Sequence, residues 1–381
     1  MKQTIIEQDV SQFACGAKYL GAGGGGSSNI LELLTKRAIR EHGPVQLQHP
    51  FDVKETEWII PVGIMGSTTI MNEKIPTGWE LVEVLRAVEK EKEIRAGAVA
   101  GIEIAGINVL TPILTAALAR LPVIDCDGMG RAFTGIHMTT YHAFDISLAP
   151  LVMTDEKRKS ILIQSDNNEE AECIARNTVM NMGGWAAFAC YAMKTKHMRE
   201  TSIYHTFSLA WRLGRGVKKA HEDIHQVVRV LMEELSNSVY GTPRLVTKGK
   251  IVEIYCDMKE GQLSGSLFLE GRGEYTAEQW EILFCNEYVL CKQEENVRVM
   301  SPDLICVLDA DTGHPVQVEE LEKNRNVWVL GIPSPPLVRT SKMLEVVGPE
   351  TYGSPFSFLP VESLYEQMDA KRGVGHATAW D

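Results

Sequence analysis

Residues 97–131 read GAVAGIEIAGINVLTPILTAALARLPVIDCDGMGR, and this stretch decides the fold. Its apolar part, 97–123, is long enough to suggest a membrane span. Glu103, Asn108, Pro112 and Arg120 interrupt it, however, and a Gly-rich beginning gives way midway to helical spacing. The stretch therefore predicts a buried strand over 98–106, a buried helix over 109–120 and a second strand over 122–128. Upstream, the continuous apolar run EWIIPVGIMG (57–66) predicts a strand covered on both faces, and 77–94, with Trp79, Leu81, Val82, Leu85 and Val88, predicts an amphipathic helix. Strands alternating with helices through short links predict a mainly parallel sheet with helices on its faces.

Toward the N-terminus, a short helix over 9–20 is followed by GAGGGGSSN (21–29), where Ser27, Ser28 and Asn29 are N-cap types for a helix from 30 onward. Downstream, 144–153 and 160–166 predict strands, 167–194 a helix interrupted at Gly183-Gly184, and 205–237 a helical block. From about 243 to 333, short runs rich in Val, Ile, Leu, Tyr and Phe alternate with Gly and charged turns, the texture of β structure; the tail beyond predicts an irregular strap. The fold class expected is α/β: an N-terminal domain over 1–166 with a mainly parallel sheet and flanking helices, then a helical connection and a β-rich C-terminal domain over 167–381.

The 381 residues carry 38 Lys plus Arg against 50 Asp plus Glu, a formal charge of −12. A chain of this length buries a core without staples, which excludes disorder and small disulfide scaffolds. No basic block offers a footprint for a phosphate backbone, so nucleic acid is not an expected partner, nor is a membrane; a small-molecule substrate is. The eight cysteines are scattered without a CxxC pair and the N-terminus lacks the apolar region of a secretory signal, so reduced thiols and a cytoplasmic location are expected. The apolar helix predicted at 185–193 suggests a homo-oligomer.

Gly21, Gly23 and Gly26 satisfy GxGxxG, but the segment before them does not read as a strand and no Lys-Ser/Thr pair follows, so no nucleotide cofactor is expected. Four consecutive glycines, Gly23, Gly24, Gly25 and Gly26, still need a reason, and close approach of the backbone to a ligand or to another loop supplies one. His221-Glu222-Asp223-Ile224-His225 matches HExxH, which would make a zinc hydrolase using His221 and His225; the polar surroundings and the lack of a third ligand at a familiar spacing favour an exposed helix face. A divalent metal elsewhere stays open. Glu103 in an apolar strand, Asn108 at the next helix start, and Asp125 and Asp127 at the end of the following strand converge where parallel sheets deliver their C-terminal strand ends, the usual place for ligands. Asp127, nearer the turn of Gly128 and Gly130, is the better ligand-facing candidate. The structural alternative is that both aspartates bond the turn and Arg131 neutralises them. Cys126 between two carboxylates is a poor thiolate. His137 or His142 could serve as acid or base, with a hydrogen-bonded loop histidine as the alternative.

The residues LGAGGGG (20–26), GIEIAGINVLTPILTAA (101–117), PVIDCDGMGRAF (122–133), FCNEYVL (284–290), SPDLICVLDADTGHPV (301–316) and EVVGPETYG (345–353) resemble, in order, the S-methyl-thiohydantoin desulfurase-like family, which is associated with hydantoinase and oxoprolinase enzymes. The resemblance implies an N-terminal α/β domain holding the Gly loop and acidic segment, a C-terminal domain with much β structure, and hydrolytic removal of an S-methyl sulfur from a thiohydantoin ring. It places the family's site on Gly21 and Gly23 to Gly26, on Glu103 and Asn108, and on Asp125, Asp127, Gly128, Gly130 and Arg131. The family usually continues GRAF with Pro-Glu, whereas Thr134-Gly135 stands here, so that either His137 takes over proton transfer or activity is lost. The expected function is a hydrolase of a small cyclic amide or thioamide of the hydantoin, S-methyl-thiohydantoin or oxoproline type. Asp127, Asp125, Glu103 or His137 would carry the catalysis, and Asn108, Arg131, Gly128 and the Gly loop would carry the binding. The rival expectation is a non-catalytic binding or regulatory protein of the same fold.

Overall fold

A computed structural model describes residues 3–26, 29–259 and 262–372, and the chain divides into two units, Met1–His221 and Glu222–Asp381. The first unit begins with β1 (Gln3–Ile5), α1 (Val10–Tyr19), α2 (Asn29–His42), β2 (Val45–Gln48), β3 (Trp58–Gly66), α3 (Thr68–Glu73), α4 (Trp79–Glu91), β4 (Ala96–Gly101), α5 (Leu110–Ala119), β5 (Val123–Ile124) and β6 (Cys126–Asp127). It continues through α6 (Thr140–Ala143), β7 (Leu151–Thr154), β8 (Ser160–Ile163), α7 (Asn168–Asn181), β9 (Trp185–Ala189), β10 (Met193–Lys194), α8 (Thr195–Thr201), β11 (Ile203–Tyr204) and α9 (Thr206–Lys219).

Its main sheet has the order β1-β2-β5-β4-β3-β9-β7-β8, with β10 also on β3. Only β2, β5, β4 and β3 pair in parallel. β1, β9, β7, β8 and β10 join antiparallel, so the α/β class holds while the mainly parallel sheet is corrected to a mixed one. For β7 and β8 the reason is local: they are joined by the short turn 155–159, which cannot make the crossover that a parallel pair needs. β3 is buried from Ile59 to Met65 and α5 from Leu110 to Ala117, as expected of elements covered on both sides. Among the described residues no helix is long and apolar enough to cross a membrane.

Several expectations are corrected. The strand predicted over 98–106 ends at Gly101, which puts Glu103 on the turn beyond it. The helix predicted over 167–194 stops at Asn181; Gly183 and Gly184 take φ of 96° and 101°, and the chain turns into β9, which lies between β3 and β7. All five β9 residues are buried, so no alternation distinguished it from a helix. The apolar stretch at 185–193, the ground for expecting an oligomer, is therefore not a helix but the inner strand β9 followed by irregular chain into β10. The helical block over 205–237 is two helices, because His221 and Glu222 take φ of 49° and 62° between them. Ser27 and Ser28 lie outside the described residues, and Asn29 is the first residue of α2.

The second unit holds α10 (Ile224–Ser236), β12 (Arg244–Lys259), β13 (Gln262–Gly271), β14 (Gln279–Cys285), β15 (Glu287–Gln293), β16 (Asn296–Met300), β17 (Leu304–Asp309), β18 (Asn326–Ile332), α11 (Ser341–Val347) and α12 (Val361–Arg372). Its strands form an antiparallel sheet in the order β16-β15-β14-β13-β12-β18-β17, the β-rich part that was expected. Alternate residues such as Ile251, Leu267, Leu269, Trp280, Ile282 and Phe284 build its core. The tail is not an irregular strap: α11 and α12 lie in it, and buried Asp303 fastens it by accepting from Arg339 Nη2 (2.6 Å), the Ser334 amide (2.9 Å) and the Val361 amide (2.9 Å).

Candidate active site

The C-terminal ends of the parallel strands carry the polar groups. β2 delivers His49 one residue past Gln48, β5 delivers Asp125 one residue past Ile124, and β4 delivers Glu103 two residues past Gly101. The Gly loop packs against the turn that follows Glu103. The Ile107 amide donates to the Gly25 carbonyl at 2.8 Å. Gly25 and Gly106 have φ of +90° and +52°, and a Cβ on Gly25 would lie 2.7 Å from the Gly106 Cα. Backbone against backbone, at positions only glycine adopts readily, accounts for these two residues. Close approach to another loop is thus what the structure shows for this part of the run. Gly26 is closed in as well, since a Cβ there would meet the Thr68 side chain at 2.1 Å.

Glu103 and Asn108 are both buried and bonded to each other, with Asn108 Nδ2 donating to Glu103 Oε1 at 2.6 Å. Asn108 also clasps β3 at both ends of one residue: it accepts from the Ile64 amide at 2.8 Å and donates to the Ile64 carbonyl at 3.1 Å. Its amide is thereby committed to holding the 103–108 turn on the sheet.

Asp127 is fully buried. Its Oδ2 accepts from the amides of Met129 (3.0 Å) and Gly130 (2.8 Å), and the Gly128 amide donates to the Ile102 carbonyl at 3.1 Å. Its Oδ1 and the neighbouring Thr206 hydroxyl are buried without a hydrogen bond of ordinary geometry. Burial pushes the Asp127 carboxyl up to about 6, against the lowering effect of the Gly130 and Met129 amides and, more weakly, of Thr206 and the Ile104 amide. Arg131 is buried too; its Nε donates to the Ala132 carbonyl at 3.1 Å and its guanidinium lies 4.9 Å over the Phe133 ring. Gly128 leaves room for the Tyr141 ring, 2.6 Å from where a Cβ would stand. Burial pushes the Cys126 thiol far up, with Asp127 and Asp125 adding to the effect, which is the opposite of what a nucleophile needs.

Asp125 has a different setting. Its Oδ1 accepts from the Ser208 amide at 2.9 Å in the first turn of α9, and its Oδ2 meets His205 Nδ1 at 3.3 Å. The His205 amide also donates to the Asp125 carbonyl at 2.8 Å. His205, in a left-handed conformation just before α9, is half exposed, and the His49 ring lies 4.9 Å from it. The hydrogen bond from Asp125 holds the His205 imidazole above its ordinary value, against burial and the nearby Arg212. These groups open on a cavity of about 250 Å³ lined by Gln48, His49, Asp125, His205, Ser208 and Arg212. Asp125 lines it; Asp127, Glu103, Asn108, Arg131 and the Gly loop do not. A larger cavity of about 660 Å³, bordered by Trp58, Lys92, Gln164 and Asp166, contains none of the expected site residues.

His137 stands apart from this cavity as well. It is mostly buried, its Nδ1 has no hydrogen-bond partner, its ring lies 6.0 Å from that of His142, and burial pushes it down to about 4. The HExxH reading is overturned. His221 and Glu222 are in the turn, Asp223 caps α10 by accepting from the His225 amide, and the His225 ring stands edge-on to Trp328 at 5.0 Å. The two histidines therefore do not sit on successive turns of one helix. Among the described residues no group of three His, Cys, Asp or Glu side chains is placed to hold a metal ion. The groups that sequence reasoning missed are His205, His49, Ser208 and Arg212. The only signal was a histidine directly before the helical run TFSLAWRLGRGV (206–217), where it reads as an ordinary first-turn residue.

Two family models match the chain: the S-Me-THD-like N-terminal domain over residues 8–165 and the S-Me-THD-like C-terminal domain over 165–361. The chain therefore belongs to the S-Me-THD-like family. Its fold is similar to that in an X-ray crystal structure of a protein from Chromobacterium violaceum, with a TM-score of 0.77 at 18% identity over 94% of this chain and 100% of that one. No curated protein matches the chain.

Proposed function

We propose that the protein hydrolyses a small cyclic amide or thioamide of the hydantoin type, an S-methyl-thiohydantoin foremost, in the cavity that Asp125 and His205 share. The observation that carries this reading is the pairing itself: a carboxylate fixed by a helix amide holds one imidazole nitrogen at the mouth of a small cavity. With Nδ1–H donating to Asp125, Nε2 is the basic nitrogen, available to take a proton from water. The water oxygen bonds to the ring carbon of the C=N group. The C=N π pair moves to the ring nitrogen as that bond forms; the proton held by His205 then goes to the departing sulfur, the C–S bond breaks, methanethiol leaves, and the second water proton passes from the new hydroxyl to the ring nitrogen, leaving a ring carbonyl beside an N–H. Arg212 supplies positive charge and His49 a donor for the anion that develops on the ring. In this reading Asp127 keeps the 127–130 turn in place and Glu103 keeps Asn108, so that both shape the site without touching the ring. The test is release of methanethiol from an S-methyl-thiohydantoin by the wild-type chain and by His205→Gln. Turnover by the former and a loss of roughly 10²-fold or more in the latter support the reading. Thermal stabilisation by the ring compound without any product would favour a binding protein instead.

A further inference from the structure

The outer edge of the first unit's sheet is a short strand with charge before it but with no proline and no bulge in its pairing. β8 ends the strand order, and among the described residues no strand pairs with its outer side. Sheet edges are normally shortened, bulged or interrupted by charge or proline. The opposite edge, β1, is only three residues long. β8 reads Ser160-Ile161-Leu162-Ile163, keeps an unbroken register with β7, and leaves Ile161 38% and Leu162 45% exposed. α7, which packs beside it, adds exposed Ile174 and Met180.

The flanks of this strand carry opposite charges. Lys157, Arg158 and Lys159 precede it, exposed, while Asp155 of the same turn is buried under the Lys157 and Lys159 amides and Glu156 is paired with Lys74; Asp166, Glu169 and Glu170 follow it. Two copies of the strand related by a two-fold axis normal to the sheet run antiparallel, so the basic flank of each faces the acidic flank of the other. With the axis at Leu162, Arg158 of one copy, which in its own chain pairs with Glu83, stands opposite the aspartate at 166 of the other and would be shared between the two carboxylates, and side chains that share a face remain together. A parallel pairing would bring like charges together, which disfavours it. We propose that the protein is a homodimer in which β8 pairs with β8 of a second copy, joining two mixed sheets into one. This inference is independent of the proposed catalysis.

Sedimentation velocity on the full chain tests it. The wild type is expected to be a dimer at micromolar concentration, and Leu162→Lys a monomer with an unchanged far-UV circular dichroism spectrum. Two charge variants separate this interface from any other: Lys157→Glu with Lys159→Glu, and Asp166→Lys with Glu169→Lys. Each alone should weaken the dimer on the order of tenfold, and mixing the two should restore it, because each flank then meets its opposite again. A monomeric wild type overturns the proposal. So does a dimer that survives all three variants, or one that mixing fails to restore.

Discussion

Asp127→Asn isolates the cost of holding a charge at the end of the buried acidic turn. Burial raises this carboxyl from its ordinary 3.8 to about 6, so the folded protein binds the proton more tightly than the unfolded chain does. A gap of that size corresponds to ~3 kcal/mol. The sign follows from proton linkage: between roughly pH 4 and pH 6 the unfolded chain has lost the proton that the native state keeps, so stability falls as pH rises through this window and levels off above it. Asparagine retains an acceptor for the Met129 and Gly130 amides and carries no charge, so the variant lacks that fall. Its stability relative to wild type should therefore rise by ~2.5 kcal/mol from pH 4 to pH 7.5, since at pH 4 the unfolded carboxyl is already partly ionised, whatever constant offset the new amide brings. Urea unfolding of both proteins at several pH values, followed by tryptophan fluorescence, measures the difference directly. Parallel pH dependences would refute the reasoning, since Asp127 would then titrate in the folded protein much as it does in the unfolded one.

Three further outcomes follow from the same geometry. Asp125→Asn should move the His205 titration, followed by NMR, to lower pH, because the hydrogen-bonded carboxylate is what holds the imidazolium; a titration that stays in place or moves up contradicts the pairing. Gly25→Ala should cost roughly 2–4 kcal/mol in thermal or urea unfolding, since a left-handed φ and a backbone contact at 2.7 Å both oppose the added methyl, and a neutral result would mean that the 105–107 turn yields. Arg339→Leu in the second unit should destabilise by about 3–5 kcal/mol, because it strands the buried Asp303 carboxylate; a change below about 1 kcal/mol would show that the serine and backbone donors suffice.

Much of this was legible in the chain itself. The stretch 97–131 announced a strand, a buried helix and an acidic turn, and the order of those elements put polar groups at the parallel strand ends. Four glycines in a row announced a tight backbone contact, although not that its partner would be the Gly106 turn. β9 was illegible because a strand buried on both faces carries no period-two signal, and after an apparent helix it extends the same apolar pattern. His221 and Glu222 break the HExxH helix through left-handed backbone at residues that give no warning of it. His205 was hidden for a related reason: it becomes a partner of Asp125 only because β11 pairs with β6, a contact between segments far apart in the sequence. Which of two aspartates faces a cavity is likewise decided by that packing.

The location of a bound ring tests the central claim most directly. Crystals of the His205→Gln protein soaked with an S-methyl-thiohydantoin should show the ring within hydrogen-bonding reach of Arg212 or His49 and beside Asp125, in the cavity at the ends of β2 and β5. A ring bound instead between residues 23–26 and 127–131, or in the larger cavity beside Trp58, would contradict the account.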